Sequence, residues 1–263
     1  MDNMKIGIIG MGIVGVAIDH SYLFTDCEVV RRDPAKGYPT SFAEFADCDG
    51  IFVCVPTPIG EAGKCDTGAL EDVLEDLYHV NYKGVIISKC TAPPDAYEYM
   101  INQYPNLVHS PEFLTEANAR NDYMTGNLLV LGGSDYFNNL AESVIKQAIT
   151  PQQVFKVDIK TASLYKYFLN SYLALKVVAM NEFYQLSSAN NVDWETIKGM
   201  LKQDSRVGST HLNVPGTDGL FGFGGMCFPK DTRALLSLAK SQNVDLSVLE
   251  AAVYKNISLR NLL

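Results

Sequence analysis

A glycine pattern set between two kinds of periodicity constrains this chain most. Residues 4–10 form a continuous apolar run of strand type, and helical spacing begins at Ile13 and continues to Tyr22. Between them stands Gly10-Met-Gly12-Ile13-Val14-Gly15. Gly10 permits a tight turn out of the strand. Gly12 lets a pyrophosphate approach the backbone, and Gly15 allows close helix–strand packing while the helix N-terminus faces the phosphates. Ile13 and Val14 lie in the same turn and count with the glycines as cofactor-binding residues. Asp33 lies at the end of a second strand, residues 28–32. A carboxylate there accepts ribose hydroxyls and repels a 2′-phosphate, which points to NAD rather than NADP. Arg31 and Arg32 argue the other way, because an arginine can accept that phosphate.

Strand signals recur at 51–55, 84–88, 107–109, 128–131 and 154–157, with helical stretches between several of them, notably 69–79 and 95–103. Strands alternating with helices imply βαβ units and a parallel sheet covered on both faces. The pattern then changes. Residues 160–189 contain no strand signal, no proline and no glycine, and Leu164, Tyr167, Phe168, Leu175 and Val178 recur at helical spacing. A helix follows at 194–201, then a glycine-rich loop at 208–225 and two closing helices. The fold class expected is α/β: a Rossmann-type parallel sheet over residues 1–158, followed by an all-α domain with a long central helix over 159–263.

The net charge of −9 and the lack of a basic run argue against nucleic acid and anionic membrane as partners. No apolar stretch approaches the roughly 18 residues that span a bilayer. The six cysteines show no CxxC spacing and no cluster with histidine, so no metal is expected. Cys54 reads as an inert core thiol. No signal peptide is evident, and a reducing, cytoplasmic setting is expected.

Five further segments carry chemistry. They are Val55-Pro56-Thr57-Pro58, Ser88-Lys-Cys-Thr91-Ala-Pro93, Ser110-Pro-Glu112-Phe113-Leu114-Thr-Glu116, Leu164-Tyr-Lys166-Tyr-Phe-Leu-Asn170 and Phe223-Gly224-Gly225-Met-Cys227-Phe-Pro-Lys230-Asp231. The first three sit at carboxyl ends of strands, where open α/β sheets bind ligands. Together, and in this order, the segments resemble the UDP-glucose/GDP-mannose 6-dehydrogenase family, the last of them most specifically. The resemblance implies oxidation of a sugar C6 alcohol to a carboxylate, with two NAD reduced, through an enzyme-bound thioester; UDP-glucose is the substrate expected.

The residues make physical sense of that chemistry. A four-electron oxidation passes an aldehyde, and a cysteine can hold the aldehyde as a thiohemiacetal, then as a thioester that water hydrolyses. Cys227 fits, since it follows two glycines and precedes a helix start with Lys230 nearby, features that favour thiolate. The alternative is a small buried residue. Lys166 and Asn170 share one helix face; by resemblance they position the C6 oxygen and stabilise developing negative charge, against the alternative of a solvated face. The resemblance makes Asp231 an acid–base partner that organises water with Lys166. It makes Thr91 the holder of the catalytic water and a cofactor contact, Glu112 an acid–base residue, and Glu116 a neighbour of the nicotinamide. Thr57 becomes a cofactor contact in a loop fixed by Pro56 and Pro58. Phe113, Leu114, Phe223, Gly224 and Gly225 become substrate contacts, and Arg206 reaches a substrate in the neighbouring subunit, which implies a homodimer built on the long helix. Glu112 and Glu116 also read as an exposed helix start, Arg206 as a solvated side chain, and His211 as an ordinary loop histidine.

Three departures stand out. The family usually continues into a third, nucleotide-binding domain, whereas this chain stops at Leu263, so that domain is expected to be absent. The stretch from Arg206 to Cys227 reads as longer than usual around 213–221. Cys90 and Asp95 replace a serine and a glycine. Two other readings stay open: a 3-hydroxyacid dehydrogenase performing one oxidation through the helix lysine, and a catalytically weak NAD-binding dimer.

Overall fold

The computed structural model describes residues 3–260. The chain divides into two units, one of Met1–Pro58 and Cys65–Lys166, the other of Ile59–Lys64 and Tyr167–Leu263.

The first unit is a sheet with helices between its strands. In chain order it runs β1 (Lys5–Ile9), α1 (Ile13–Tyr22), β2 (Glu28–Asp33), β3 (Tyr38–Pro39), β4 (Gly50–Val53), α2 (Gly68–His79), β5 (Val85–Ser88), α3 (Pro94–Gln103), β6 (Leu107–His109), α4 (Ala119–Thr125), β7 (Leu128–Gly132), α5 (Asp135–Ile145) and β8 (Gln153–Val157). The strand order is β3-β2-β1-β4-β5-β6-β7-β8. The unbroken apolar runs have a cause in burial, since each central strand feeds two cores. Ile6, Ile8, Phe52, Val85, Ile87 and Val108 belong to one cluster. The alternating Ile9, Ile51, Val53, Ile86 and Leu107 belong to the other, as a period of two requires for a sheet covered on both sides.

Two pairings depart from an all-parallel sheet. β3 runs antiparallel to β2, with Asp33 opposite Tyr38, and β7 runs antiparallel to β6, with His109 opposite Gly132. An antiparallel neighbour is entered from the end at which the previous strand was left. Residues 110–127 therefore stay at the carboxyl edge of the sheet, and that edge receives Glu112.

The second unit is helical. Most of α6 (Ile159–Ala189) belongs to it, with α7 (Trp194–Gln203), α8 (Phe228–Ser241) and α9 (Ser247–Leu259). α6 starts where the Asp158 carboxylate accepts the Thr161 N–H at 2.9 Å, and α7 where Asp193 accepts the Thr196 N–H at 2.9 Å, both N-cap devices. Its core gathers Ala174, Val178, Phe223 and Ala252 in one cluster and Met180, Trp194, Leu212 and Val214 in another. Phe168, which shares the helical apolar spacing of α6, is exposed instead, as are Tyr172, Phe183 and Leu186. Among the described residues no helix is long and apolar enough to cross a membrane.

His109 closes β6 and is fully buried. Its ring stacks on Tyr97 with centroids 4.4 Å apart, and Nδ1 lies 3.3 Å from the Ser88 carbonyl oxygen. Burial above all, with Lys89 and Lys166 adding repulsion, pulls its pKa down from 6.5 to about 3. The unfolded chain thus binds a proton that the folded chain refuses. His109 contributes stability that is complete above the unfolded value of 6.5 and is lost as pH falls toward about 3, at up to about 1.4 kcal/mol per pH unit. Urea unfolding across this range is expected to show a flatter pH dependence for His109→Gln than for the native chain. Parallel curves would rule out this origin.

Candidate active site

The strand order places β1 between β2 and β4, so successive crossovers leave β1 in opposite directions. The crevice opens at such a switch point, beyond the carboxyl ends of β1 and β4. The glycine turn stands there. Gly10 has φ +91°, and a Cβ on it would lie 2.6 Å from the Cys54 carbonyl oxygen. A Cβ on Gly15 would overlap the Gly10 carbonyl oxygen, so α1 and the turn touch backbone to backbone. Gly12 differs: it caps α1, and a Cβ there meets nothing within 4 Å. Asp33 accepts the Met11 N–H at 3.0 Å, and Lys36 donates to the Met11 carbonyl at 2.8 Å, which ties the end of β2 to the turn. Arg31 pairs with Asp19 at 2.6 Å. Arg32 donates to the Thr40 carbonyl and lies 4.3 Å from the Phe42 ring centroid. Both guanidinium groups are thus engaged within the unit. Ile13 is exposed and Val14 half-buried; Ile13 and Val16 line a cavity of about 430 Å³ with Glu116, Asn118 and Arg120. This arrangement fits a dinucleotide: a close-approach glycine, a helix N-terminus and a carboxylate at the second strand.

The next three strand ends carry the remaining residues of this unit. Pro56 and Pro58 are exposed, Thr57 is buried and Thr91 half-buried. The Cys65 sulfur lies 3.2 Å from the Thr91 carbonyl oxygen. Burial raises the Cys54 thiol pKa, which suits an inert core thiol. Glu112 precedes any helix: Glu116 opens a short 3-10 turn, and α4 starts only at Ala119. The exposed-helix alternative for the two glutamates therefore fails for Glu112. Its carboxylate pairs with Lys166 at 3.1 Å, the two side chains being 11% and 4% exposed. Lys166 also donates to the Glu112 carbonyl, while the Leu114 N–H donates to the other carboxylate oxygen at 2.7 Å. The Lys166 ammonium lies 5.4 Å from the Phe113 ring centroid, and Leu114 packs on the sheet core.

A second cluster belongs to the helical unit. Asp231, in the first turn of α8, is buried. Its carboxylate accepts from Asn170 at 2.6 Å and from Lys230 at 2.6 Å. Cys227 caps α8, is exposed, and its carbonyl accepts the Asp231 N–H at 2.8 Å. The buried-residue alternative for Cys227 and the solvated-face alternative for Lys166 and Asn170 both disagree with these positions. Lys230 spends its charge on Asp231. Arg206 is exposed and paired with Asp204 at 2.6 Å. His211 takes φ 61° and is half-buried, its ring centroid 5.5 Å from that of Phe228; desolvation first, then Lys176, lowers its pKa.

Three side chains that the sequence reading missed hold the loop before Cys227. Asn181 accepts the Gly222 N–H at 3.0 Å. Asn256 accepts the Phe223 N–H at 2.6 Å and donates to the Phe223 carbonyl at 3.0 Å. Arg260 donates to the Gly222 carbonyl at 3.1 Å and to Asp218 at 2.7 Å. A Cβ on Gly224 would stand 2.6 Å from its guanidinium. Gly225 follows with φ +75°. The available signal was an asparagine inside each apolar helix face. Among the described residues no group of three His, Cys, Asp or Glu side chains is placed to hold a metal ion.

Residues 35–150 match the NAD binding domain of the UDP-glucose/GDP-mannose dehydrogenase family, and residues 160–258 match that family's central domain. The chain belongs to this family. A Rickettsia bellii UDP-glucose 6-dehydrogenase is 31% identical over 231 residues, covering 82% of this chain and 51% of its own. A Bacillus subtilis relative is 30% identical over 296 residues, covering 96% of this chain and 67% of its own. The structure of a UDP-glucose dehydrogenase from Pyrobaculum islandicum superposes with a TM-score of 0.82 at 22% identity, covering 98% of this chain and 68% of that one, which establishes likeness of fold. The chain spans about half the length of the first relatives it matches. As a member of the UDP-glucose/GDP-mannose dehydrogenase family it carries that family's NAD-binding domain, and its cofactor is NAD.

The glycine geometry separates two roles within the Gly10–Gly15 turn. Gly15→Ala forces a Cβ onto backbone and is expected to lower stability by about 1–3 kcal/mol. Gly12→Ala has room in the protein and is expected to cost only the small difference between a glycine and an alanine cap while weakening NAD binding, the outcome required if this turn carries the pyrophosphate. Thermal scans with calorimetric NAD titration check both. Equal NAD affinity in Gly12→Ala and the native chain would exclude this assignment.

Proposed function

We propose that the chain is an NAD-dependent nucleotide-sugar 6-dehydrogenase that oxidises a sugar C6 alcohol to a uronic acid in two steps, with UDP-glucose as substrate. The observation that carries this reading is the exposed Cys227 at the cap of α8, one turn from a buried Asp231 held by Asn170 and Lys230. A 3-hydroxyacid dehydrogenase performing one oxidation through Lys166 has no need of Cys227.

Bound NAD would supply the hydride acceptor for both oxidations. Asp33 would hold the adenosine ribose, with Gly10, Gly12, Ile13, Val14 and Gly15 framing the pyrophosphate and Thr57, Thr91 and Glu116 contacting the cofactor. Lys166 and Asn170, one turn apart on α6, would hold the C6 oxygen and stabilise negative charge developing on it. The Cys227 sulfur would add to the aldehyde carbon, and the thiohemiacetal would become a thioester on oxidation. Thr91 would hold the hydrolytic water. Glu112, a carboxylate ion-paired with Lys166, would take its proton as the C–S bond breaks and the acid leaves. Phe113, Leu114, Phe223, Gly224 and Gly225 would contact the sugar nucleotide.

The decisive measurement is NADH formed per molecule of UDP-glucose consumed. A ratio near two is expected, and Cys227→Ser is expected to make no acid. A ratio of one on a small hydroxyacid, unchanged in Cys227→Ser, would establish the single-oxidation enzyme instead. NAD binding without turnover on any sugar nucleotide would favour the catalytically weak dimer.

Phe168, Tyr172, Phe183 and Leu186 are exposed large apolar side chains at helical spacing on α6, and apolar surface gathered on one face is a mark of an interaction site. We propose that this face is the homodimer seam, with Arg206 serving the neighbouring subunit's substrate. Light scattering is expected to give twice the chain mass, and about half that value for Phe183→Glu; a native chain of single mass would overturn the dimer.

A further inference from the structure

The reaction proposed above leaves one buried charge unused. Lys89 follows β5, and its side chain is almost wholly enclosed. Its ammonium lies 3.2 Å from the Ser110 hydroxyl and 3.5 Å from the Pro111 carbonyl oxygen, the two residues that lead from β6 into Glu112. The Tyr123 ring of α4 faces it, with the centroid 5.8 Å away. Three ionisable groups from other elements also act on it: the Cys54 thiol after β4, the Glu112 carboxylate after β6 and the Lys166 ammonium on α6. Burial is the largest influence, and it lowers the Lys89 pKa from 10.5 to about 8, with Cys54 and Glu112 opposing and Lys166 assisting.

A lysine withdrawn from water at this cost has to be held by its surroundings. Here the surroundings are the turn that aims Glu112. Lys166 grips Glu112 from one side, through both its carbonyl and its carboxylate. Lys89 grips the same turn from the other side, one and two residues upstream. Removing Lys89 leaves the Pro111 carbonyl and the Ser110 hydroxyl without this donor; the Ser110 N–H still donates to the Ser88 carbonyl at 2.8 Å, and Lys166 and the Leu114 N–H still hold Glu112, but among the described residues no side chain then holds the turn between them.

We propose that Lys89 is a positioning residue for Glu112: its ammonium pins the Ser110–Pro111 turn that sets the Glu112 carboxylate against Lys166, and the three charges act as one electrostatic unit. The kinetic part rests on the dehydrogenase reading; the electrostatic part does not.

The electrostatic part is read by NMR of 13Cε-labelled lysine in the full chain. The Lys89 signal is expected to titrate near pH 8. In Glu112→Gln, which removes the favourable charge, the midpoint is expected to fall by about one pH unit; in Lys166→Met, which removes the like charge, it is expected to rise. A Lys89 midpoint that neither variant moves overturns the unit. The positioning part is read with UDP-glucose and NAD. Lys89→Met is expected to lower kcat by ~10²-fold, the scale of a misplaced catalytic group, with KM for NAD unchanged, and Lys89→Arg, which keeps charge and donors, to recover most of it. Native kcat in Lys89→Met overturns the positioning role. Should the native chain turn over no sugar nucleotide, the dehydrogenase reading falls, and the NMR titration still decides the Lys89 unit.

Discussion

A carboxylate taken out of water costs several kcal/mol unless donors replace the lost hydration, and Asp231 lies in the first turn of α8 with 1% of its side chain exposed. Two side chains meet that demand, the Asn170 amide from α6 and the Lys230 ammonium from α8 itself. The consequence is positional. α6 and α8 cannot slide past each other without stranding a buried charge, so the cap of α8, and with it Cys227, stands at a fixed place. The loop leading to that cap is gripped in the same way, by polar side chains on its backbone groups: Asn181 from α6, Asn256 from α9 and Arg260 from the C-cap of α9. An exposed sulfur on an otherwise unsupported glycine-rich loop would wander; here its approach is held from two helices.

The sheet unit solves the corresponding problem with charge and topology together. A fully parallel sheet would carry the chain away from the carboxyl edge after β6. The antiparallel entry into β7 keeps residues 110–127 at that edge, and the ion pair between Glu112 and Lys166 then fixes a segment that has no helix of its own until Ala119. A buried ion pair is weak as a source of stability, because desolvation offsets much of its attraction. It is strong as a register device, since breaking it leaves an unpaired charge in a dry place. The arrangement suits a group that must be aimed rather than a fold that must be stabilised.

This difference explains what could be read from the residues alone. The central strands were legible because burial on both faces demands unbroken apolar runs, as in residues 51–53 and 85–87. The long helix was legible because thirty residues without proline or glycine leave few alternatives. The glycine turn was legible because Gly10 and Gly15 each have a separate steric reason, of which the near-contact of Gly15 with Gly10 is the plainer. By contrast, β3 is two residues long and includes a proline, and α4 has seven residues with little apolar pattern, so neither leaves a periodic trace. The antiparallel turn into β7 depends on where a connection runs, and no local signal encodes that. Phe168 shares the apolar spacing of the buried Tyr167 and Val178 and is nonetheless exposed, because spacing reports the apolar side of a helix and cannot say what that side meets.

The clamp residues and Lys89 were invisible for a related reason. A lysine after a strand or an asparagine in a helix is ordinary in sequence, and it becomes informative only when its partners, 21 residues away for Lys89 and Ser110 or 33 for Asn256 and Phe223, are known to converge on it. The candidate reacting groups came with motifs of fixed spacing, as residues on one turn or one helix face that are to act together would. Groups that aim the chemistry are drawn from distant strands and helices, since rigidity requires support from more than one element. The first kind is written locally along the chain and the second only in the fold, so a site of this sort discloses its reagents before its scaffolding.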